Sequence, residues 1–301
     1  MRRIVLFQNG LGNQMFEYAF YLTMKKRFSN TVASTYLLSR RKDHNGLELD
    51  NLFGVSWDEA PELDWLVRFC RKCYYLSLSE GIIAFGARQI LKLLYFLHLG
   101  LCLERPEIRC QDSSYVWKRN YRIYWGGWMS EQWFASISDE IRRYFLFDEN
   151  RCSIQTRNLL YELANSDKET VSIHIRRGDY LKNYQYLDIC DEAYYQKAIN
   201  MISEKFPEVH FYIFSDDINW CRENLEFSME NVTYVNWNHE TDSWQDMFLM
   251  SRCRHNIIAN SSFSWWAAWL NSNSKKIVIC PRKYSKTVNL VNVMPERWIK
   301  I

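Results

Sequence analysis

Apolar and polar positions in the second half of the chain follow two alternating periods. Val171–Ile175 has the two-residue period of a strand, and three short apolar runs follow at 211–214, 255–259 and 276–280. Stretches with helical spacing separate these runs, at 191–206, 220–226, 243–254 and 264–270. Strands that alternate with helices are typical of a parallel sheet covered by helices on both faces. The pattern therefore predicts an α/β fold.

The first half follows the same theme less regularly. Ile4–Phe7 predicts a strand, Gly12–Lys26 a helix and Tyr121–Trp125 another strand, while Trp65–Leu103 is strongly apolar with helical spacing. The polar segment 165–170 has few apolar side chains that could join two cores. We therefore predict two domains, residues 1–167 and residues 168–301.

The uncharged apolar run Leu93–Leu103 allows two interpretations. Its eleven residues are fewer than the roughly 20 that a membrane-spanning helix needs. The favoured interpretation is a buried core helix. The alternative is a helix that lies on a membrane surface, with Arg88 and Lys92 beside it.

Composition and charge narrow the function classes. The 301 residues are 48% hydrophobic and 24% charged, which is ordinary for a globular protein, and a net charge of +3 does not indicate nucleic acid as a partner. Nine scattered cysteines favour a reducing compartment, and no apolar signal segment follows Met1. We expect a cytoplasmic protein, either soluble or peripheral at the inner face of a membrane.

Two adjacent arginines follow the strand at 171–175. In an open α/β sheet, ligands bind beyond the carboxyl ends of the strands, and a guanidinium group matches phosphate oxygens with two hydrogen bonds. Strand alternation places His174 and Arg176 on one face, and Gly178 allows the chain to turn. Arg176 and Arg177 therefore predict an anion site. The alternative is a surface turn paired with local carboxylates such as Asp179.

Two further loops follow predicted strands. Asp216 and Asp217 can accept hydrogen bonds from a ribose or a purine, or can simply cap the next helix. The third loop, with Asn260, Ser261, Ser262 and Phe263, precedes a helix whose N-terminus and serine hydroxyls suit an anion. Capping by Ser262 or Ser264 is the alternative, and the tryptophans of that helix are expected in the core.

The amino-terminal loop after Ile4–Phe7 also carries polar groups and glycines. Asn9 and Asn13 supply donors, while Gly10 and Gly12 allow close backbone approach. The sequence contains neither the three-glycine dinucleotide fingerprint nor a GxxxxGK[ST] loop. It also contains no Asp-x-Asp triplet that could hold a diphosphate through a divalent ion, so arginines and a helix end would supply the positive charge.

Four segments in order resemble glycosyltransferase family 11, the α-1,2-fucosyltransferases, and especially its bacterial members. They are Asn9–Phe16, His174–Tyr180, Phe214–Asp217 and His255–Trp266. The resemblance extends from Met1 to about Pro281. It implies two Rossmann-like domains with parallel sheets in a GT-B arrangement, GDP-β-L-fucose as donor, inversion at the anomeric carbon and no metal or other cofactor.

The resemblance also implies roles for the loop residues. Arg176 and Arg177 would hold the diphosphate and stabilise it as leaving group. The guanosine would lie near His174 with Asp216 or Asp217, while Ser261, Ser262 and Phe263 would line the phosphate and base side. Gly10, Gly12 and Asn13 would approach the diphosphate and fucose.

The predicted function is a galactoside 2-α-L-fucosyltransferase. It would use GDP-fucose and a galactose-terminated glycan, free or lipid-linked, in surface polysaccharide or oligosaccharide synthesis. A GDP-fucose-dependent transferase with another acceptor linkage is one alternative, and a non-catalytic GDP-sugar or carbohydrate-binding protein is another. Asp179, Glu17 and Glu131 are candidates for the general base, with Asp179 favoured as the catalytic carboxylate.

Overall fold

The computed structural model describes residues 1–38, 45–105, 114–227, 229–287 and 292–301. It divides into two compact units, Met1–Tyr144 and Phe145–Ile301. Each unit contains helices and a parallel sheet. The expected fold class, α/β with two Rossmann-like units and parallel sheets, is confirmed.

The first unit is built on a four-stranded parallel sheet. Its elements are β1 (Arg3–Leu6), α1 (Leu11–Arg27), β2 (Thr31–Ser34), α2 (Leu49–Phe53), α3 (Asp64–Ser77), α4 (Ile82–Phe96), β3 (Gly100–Leu103), β4 (Tyr121–Trp125) and α5 (Ser138–Tyr144). The strand order is β2-β1-β4-β3, so the loops after β1 and β4 leave neighbouring positions of one edge. Trp125 Nε1 donates to Gln8 Oε1 at 3.0 Å across that edge.

The apolar segment Trp65–Leu103 is not one helical region, and its last part is not a buried core helix. The helix α4 ends at Phe96, and β3 begins at Gly100, where a Cβ atom would lie 2.9 Å from the carbonyl oxygen of Asn120. Leu93 and Phe96 are exposed. The core interpretation is wrong because pairing with β4 requires extended backbone and because only one face of α4 packs inward. No helix in the described ranges is long and apolar enough to cross a membrane.

The second unit is built on a six-stranded parallel sheet. Its elements are α6 (Ile154–Asn165), β5 (Glu169–Ile175), α7 (Glu192–Lys205), β6 (Val209–Ser215), α8 (Ile218–Asn224), β7 (Val232–Val235), α9 (Trp244–Arg252), β8 (His255–Ile257), α10 (Ser262–Leu270), β9 (Val278–Cys280) and β10 (Ile299–Lys300). The strand order is β10-β9-β8-β5-β6-β7. This is the order of the doubly wound dinucleotide-binding fold, with the first strand of the unit at the centre.

The central strand β5 is buried on both faces, as expected in a parallel sheet covered by helices. Ile173 and Ile175 belong to the core under one face. On β5, Ser172 accepts a hydrogen bond from Asn256 Nδ2 at 2.7 Å, and Asn271 Nδ2 donates to Asn256 Oδ1 at 2.8 Å. The polar side chains of Ser172, Asn256 and Asn271 are thus hydrogen-bonded to one another, which removes the cost of leaving them unpaired.

The division between the units lies earlier in the chain than the expected 167/168. Helix α6 precedes that position, yet it belongs to the second unit. Ser153 N donates to Gln245 Oε1 at 2.9 Å, and Tyr212 Oη on β6 donates to Glu162 Oε1 at 2.8 Å. The polar segment 165–170 is a tight connection from α6 into β5 within one unit, and this is why its composition resembles a linker.

The carboxyl group of Asp246 on α9 predicts a pH-dependent stability. Burial raises its pKa to about 7, although Asn238 Nδ2 donates to Oδ1 at 2.7 Å and stabilises the charged form. Since the folded pKa lies above the unfolded value, the folded state holds an extra proton between about pH 4 and about pH 7, and stability falls as pH rises through that window.

We expect Asp246→Asn to gain stability relative to the original chain over this window, by at most roughly 4 kcal/mol. The measurement is urea unfolding at about pH 5 and about pH 8. Asp242→Asn, at an exposed position in the preceding turn, is the matched control. An equal pH response in both variants would contradict the assignment to Asp246.

Candidate active site

The three predicted loops of the second unit leave the same edge of the six-stranded sheet. Ile175 at the end of β5 lies beside Ser215 of β6, and Ile173 lies beside Ile257 of β8. The residues that follow these strands, 176–180, 216–217 and 258–263, therefore emerge together at the carboxyl edge. The strand order reverses between β5 and β8, and such switch points are the usual ligand sites of open parallel sheets.

Arg176 is held between two carboxylates. Its Nε donates to Asp179 Oδ1 at 2.8 Å, and its Nη1 lies 3.2 Å from Asp216 Oδ2. The ion pair with Asp179 is the one that the surface-turn alternative predicts. Arg176 also forms a second ion pair, with Asp216, which that alternative did not include. These contacts engage two of the three guanidinium nitrogens, so within the described residues Nη2 remains for an added anion.

Arg177 is oriented by a carboxylate and by an aromatic ring. Its Nε donates to Asp217 Oδ2 at 3.1 Å, and its guanidinium carbon lies 4.0 Å from the ring centre of Trp220. Asp217 Oδ1 also accepts from Trp220 N at 3.1 Å and caps α8. The backbone N–H of Arg177 donates to Asp216 Oδ1 at 2.8 Å. Asp216 and Asp217 therefore act as counter-ions and caps here, and their contact with a guanosine stays a prediction.

The charged side chains of these loops do not give this edge of the sheet a net positive charge. Arg176 and Arg177 face three carboxylates, those of Asp179, Asp216 and Asp217. An incoming anion must therefore displace a carboxylate or add the positive end of a helix to the site. Asp179 is the most exposed of the three carboxylate side chains, which makes it the partner that is most readily displaced.

A glycine is needed at position 178 because the Asp216 carboxylate lies where a side chain would begin. The backbone of Gly178 has no left-handed φ angle, so the expected sharp turn is not the reason for a glycine. A Cβ atom at Gly178 would lie 2.9 Å from Asp216 Oδ2, closer than real Cβ atoms approach. The glycine thus lets the Asp216 carboxylate reach Arg176 and the N–H of Arg177.

His174 is a buried, neutral imidazole. Burial, together with the smaller effect of the positive charge of Arg176, lowers its pKa to about 3. Its ring centre lies 5.7 Å from that of Phe263, and Nδ1 has no hydrogen-bond partner within the described residues. A group with so low a pKa accepts a proton poorly, so His174 is a poor candidate for the general base.

Ser261 caps the helix α10. Its Oγ accepts from Phe263 N at 3.3 Å, so the alternative of capping by Ser262 or Ser264 is wrong. Ser262 instead hydrogen-bonds to the Tyr284 hydroxyl. The tryptophans of α10 are buried, which confirms their expected place in the core. The positive end of α10 therefore lies at the same edge of the sheet as residues 176–180, which we call the arginine loop.

Asn260 is a buried structural residue in this arrangement. Its Nδ2 donates to the carbonyl oxygen of Tyr284 at 3.1 Å, and its Oδ1 accepts from Cys190 Sγ at 3.6 Å. Its own carbonyl oxygen accepts from Tyr180 Oη at 3.0 Å. Tyr180 thus ties the arginine loop to the third loop. Sequence reasoning assigned it no role, although a phenol at the end of an arginine-rich loop is a usable signal.

The amino-terminal loop of the first unit has a shape imposed by Gln14. Asn9 adopts a left-handed φ of 61°, and Gln14 Nε2 donates to its carbonyl oxygen at 2.8 Å. The Gly10 carbonyl oxygen accepts from Asn13 N at 2.9 Å, and Gly12 is buried in the first turn of α1. Among the described residues, no side chain caps the N-terminus of α1 at Gly10. Ligand contact by the residues of this loop stays a prediction.

Two of the candidate general bases also lie in the first unit. Glu17 is fully buried, and its Oε2 accepts from Gln8 N at 2.7 Å. Burial raises its pKa well above the ordinary value, and Glu104 raises it further. A buried and readily protonated carboxyl group suits support of the loop better than proton abstraction. Glu131 is partly exposed in a short turn at Glu131–Trp133.

Comparison with known proteins provides a family context for these loops. The sequence model described as Glycosyl transferase family 11 matches residues 112–300, which include all three loops of the second unit. An alpha-1,2-colitosyltransferase from Escherichia coli is 32% identical over 308 aligned residues, covering 97% of this chain and 96% of that protein. The O-antigen biosynthesis glycosyltransferase WbnK from Escherichia coli is 31% identical, covering 97% and 98%. Human galactoside alpha-(1,2)-fucosyltransferase 1 is 30% identical over 191 residues, covering 55% and 51%.

The Gly178 contact predicts that a single methyl group disturbs the arginine loop. Gly178→Ala forces Asp216 away from Arg176 and from the N–H of Arg177 and so leaves both arginines misoriented. We expect the affinity for GDP to fall about tenfold, the equivalent of one charge-assisted hydrogen bond, because this loss of orientation outweighs the removal of a competing carboxylate. Calorimetric titration with GDP measures the change. Gly86→Ala in α4, where a Cβ atom meets nothing within 4 Å, is the control and should bind GDP normally. Unchanged GDP affinity in Gly178→Ala would refute the spacing argument.

Proposed function

The chain belongs to glycosyltransferase family 11, and from this membership we propose that it transfers L-fucose from GDP-β-L-fucose to the 2-hydroxyl of a terminal β-galactoside. The proposed reaction inverts the anomeric carbon and needs no metal ion. The observation that carries the proposal is the oriented pair of arginines at the switch point of the sheet, because a nucleotide diphosphate is the ligand whose charge and geometry match it.

The proposed chemistry places the developing charge at the arginine loop. Breaking the bond between the anomeric carbon and the phosphate oxygen leaves negative charge on the diphosphate while the sugar becomes oxocarbenium-like. Preorganised donors aimed at such charge contribute roughly 3–4 kcal/mol each. Arg176 and Arg177 are proposed to supply them, together with the N-terminus of α10. Donor binding is proposed to displace Asp179, which then accepts the proton of the acceptor hydroxyl.

The names of the relatives support the proposed acceptor and the proposed linkage. Two of them carry α-1,2 in their names, one of these acts on a galactoside by its name, and the third is named for O-antigen biosynthesis. These names support a galactose-terminated glycan of a surface polysaccharide, free or carried on a lipid. Another acceptor linkage remains the alternative within the same donor chemistry.

Colitose in place of fucose is the second candidate for the transferred sugar. The alpha-1,2-colitosyltransferase matches 97% of this chain, so the observation concerns the whole protein. Colitose lacks the 3-hydroxyl of fucose. A site that hydrogen-bonds that hydroxyl rejects the deoxy sugar by about 10⁴-fold or more, whereas a site without such a partner discriminates weakly. Parallel assays with GDP-fucose and GDP-colitose decide between the two donors.

The proposal as a whole is tested by product analysis with lactose as acceptor. An α-fucosyl group on O2 of galactose, identified by NMR, is the expected result. A β-fucosyl product would overturn inversion, and fucose on another hydroxyl would overturn the acceptor assignment. GDP release no faster than the uncatalysed rate, with or without lactose, would favour the non-transferring sugar-binding alternative.

Arg177→Lys tests the bidentate geometry. A lysine retains the charge but loses the stack on Trp220 and the fork that fits a phosphate, so we expect kcat/KM for GDP-fucose to fall at least about tenfold. Arg222→Lys is the matched control, since Arg222 stacks in the same way on Tyr234 and should retain activity. Near-normal turnover in Arg177→Lys would mean that Arg177 only supports α8.

Asp179→Asn separates a general base from a positioning residue. If Asp179 is displaced by the donor and then takes the acceptor proton, the variant should bind GDP more tightly, because a competing anion is gone, yet kcat should fall about 100-fold or more. Asp188→Asn, which removes a surface pair with Lys286, is the control. Weaker GDP binding with unchanged kcat would show that Asp179 only orients Arg176.

Metal independence is proposed because arginines and helix ends supply the positive charge. Initial rates in excess EDTA should equal those in magnesium or manganese to within about twofold. Loss of activity on chelation that is restored by a divalent ion would overturn this electrostatic account.

A further inference from the structure

The outward face of α4 carries larger apolar side chains than the face that packs inward. Ala84, Ala87 and Leu94 are buried, whereas large side chains face out, with Ile82 86% and Phe96 73% exposed. At about 100° per residue, the outward apolar positions form a stripe of roughly 160°, with exposed Gln89 as the one polar side chain within it. We call it the α4 stripe, and its members are Ile82, Ile83, Phe85, Ile90, Leu93 and Phe96. An exposed apolar patch of this kind commonly marks a surface that contacts another molecule or a membrane.

Helix α3 holds the stripe in place. Leu66 and Cys70 of α3 share a core with Leu94 of α4. Arg88 braces the connection between the helices, since its Nε donates to the carbonyl oxygen of Ser77 at 3.0 Å and its Nη2 donates to that of Ser79 at 3.2 Å. The outward side of α3 adds the exposed rings of Trp65, Phe69 and Tyr75. The two helices form a preformed hairpin with an apolar outer surface.

The charges around the stripe are mostly positive. The α3–α4 hairpin, residues 64–96, contains two acidic side chains, at positions 64 and 80, and five basic ones, at positions 68, 71, 72, 88 and 92. Arg88 and Lys92 are exposed, lie one helical turn apart and border one side of the α4 stripe. An apolar strip bordered by Lys and Arg is complementary to a surface that is apolar inside and anionic outside.

We propose that the α3–α4 hairpin docks onto an anionic lipid bilayer. The 15 residues of α4 span about 22 Å, less than the roughly 30 Å of the hydrocarbon layer, so the helix lies in the plane of the surface. A protein partner fits less well, because protein interfaces are depleted in Lys and their hot spots are poor in Leu. This docking does not depend on the proposed donor or acceptor.

Vesicle flotation of the full chain tests the proposal without any nucleotide sugar. The probes are phosphatidylcholine vesicles with and without about 30% phosphatidylglycerol, at low and high salt. We expect flotation with the anionic vesicles and its loss at high salt. Phe85→Ser/Leu93→Ser/Phe96→Ser should reduce partitioning on the order of tenfold or more, and Lys92→Gln should reduce it by roughly fivefold.

Ile154→Ser/Tyr161→Ser on α6 is the matched control, since these side chains are 70% and 75% exposed and lie outside the hairpin. It should float like the original chain. The serine variants are checked for unchanged thermal unfolding, which separates loss of docking from loss of fold. Failure of the original chain to float, or equal loss in the control, would overturn the proposal. So would a dimer in sedimentation velocity that the stripe variant converts to a monomer, since a second copy would then be the occupant.

Discussion

Two adjacent guanidinium groups at the end of a buried strand impose the constraint on which the candidate site depends. Six of the seven residues of β5 are buried, so Arg176 and Arg177 are the first positions after it where charge can reach water. Partly buried charges need partners, and carboxylates from the next turn and from the end of β6 supply them. Gly178 leaves the space for one of these carboxylates. The orientation of both arginines is thereby fixed before any ligand arrives.

For the proposed diphosphate ligand, this arrangement implies that binding exchanges one anion for another: a phosphate group replaces a carboxylate at the arginines. A diphosphate gains little from guanidinium groups that are already neutralised unless a carboxylate withdraws or a helix N-terminus adds positive charge. The exposed Asp179 can withdraw at little cost, whereas Asp216 is held by the N–H of Arg177 and Asp217 caps α8. With Asp179 as the proposed general base, affinity and proton transfer would be coupled through one carboxylate, which would link donor binding to the chemical step.

The sequence predicted the strands that carry the loops because buried parallel strands have a clear apolar signal. It also indicated the loop residues, since polar groups after such strands gather at one edge of the sheet. It could not indicate that Asp216 pairs with Arg176, because that contact depends on the register of β5 against β6. The unit boundary was misplaced because a tight polar turn before β5 has the composition of a linker.

The α4 segment shows a different limit, because periodicity defines two faces of a helix without telling which one packs inward. The burial of apolar area alone would place the large side chains of α4 against α3 and β3. The chain instead places Ala84 and Ala87 there, which allows close packing of the helices, and leaves Phe85 and Phe96 outside. Folding gains nothing from large apolar groups left in water, and a bare patch invites aggregation. The outward face of α4 is therefore best understood as built for contact with something beyond the chain, and its basic border favours an anionic surface.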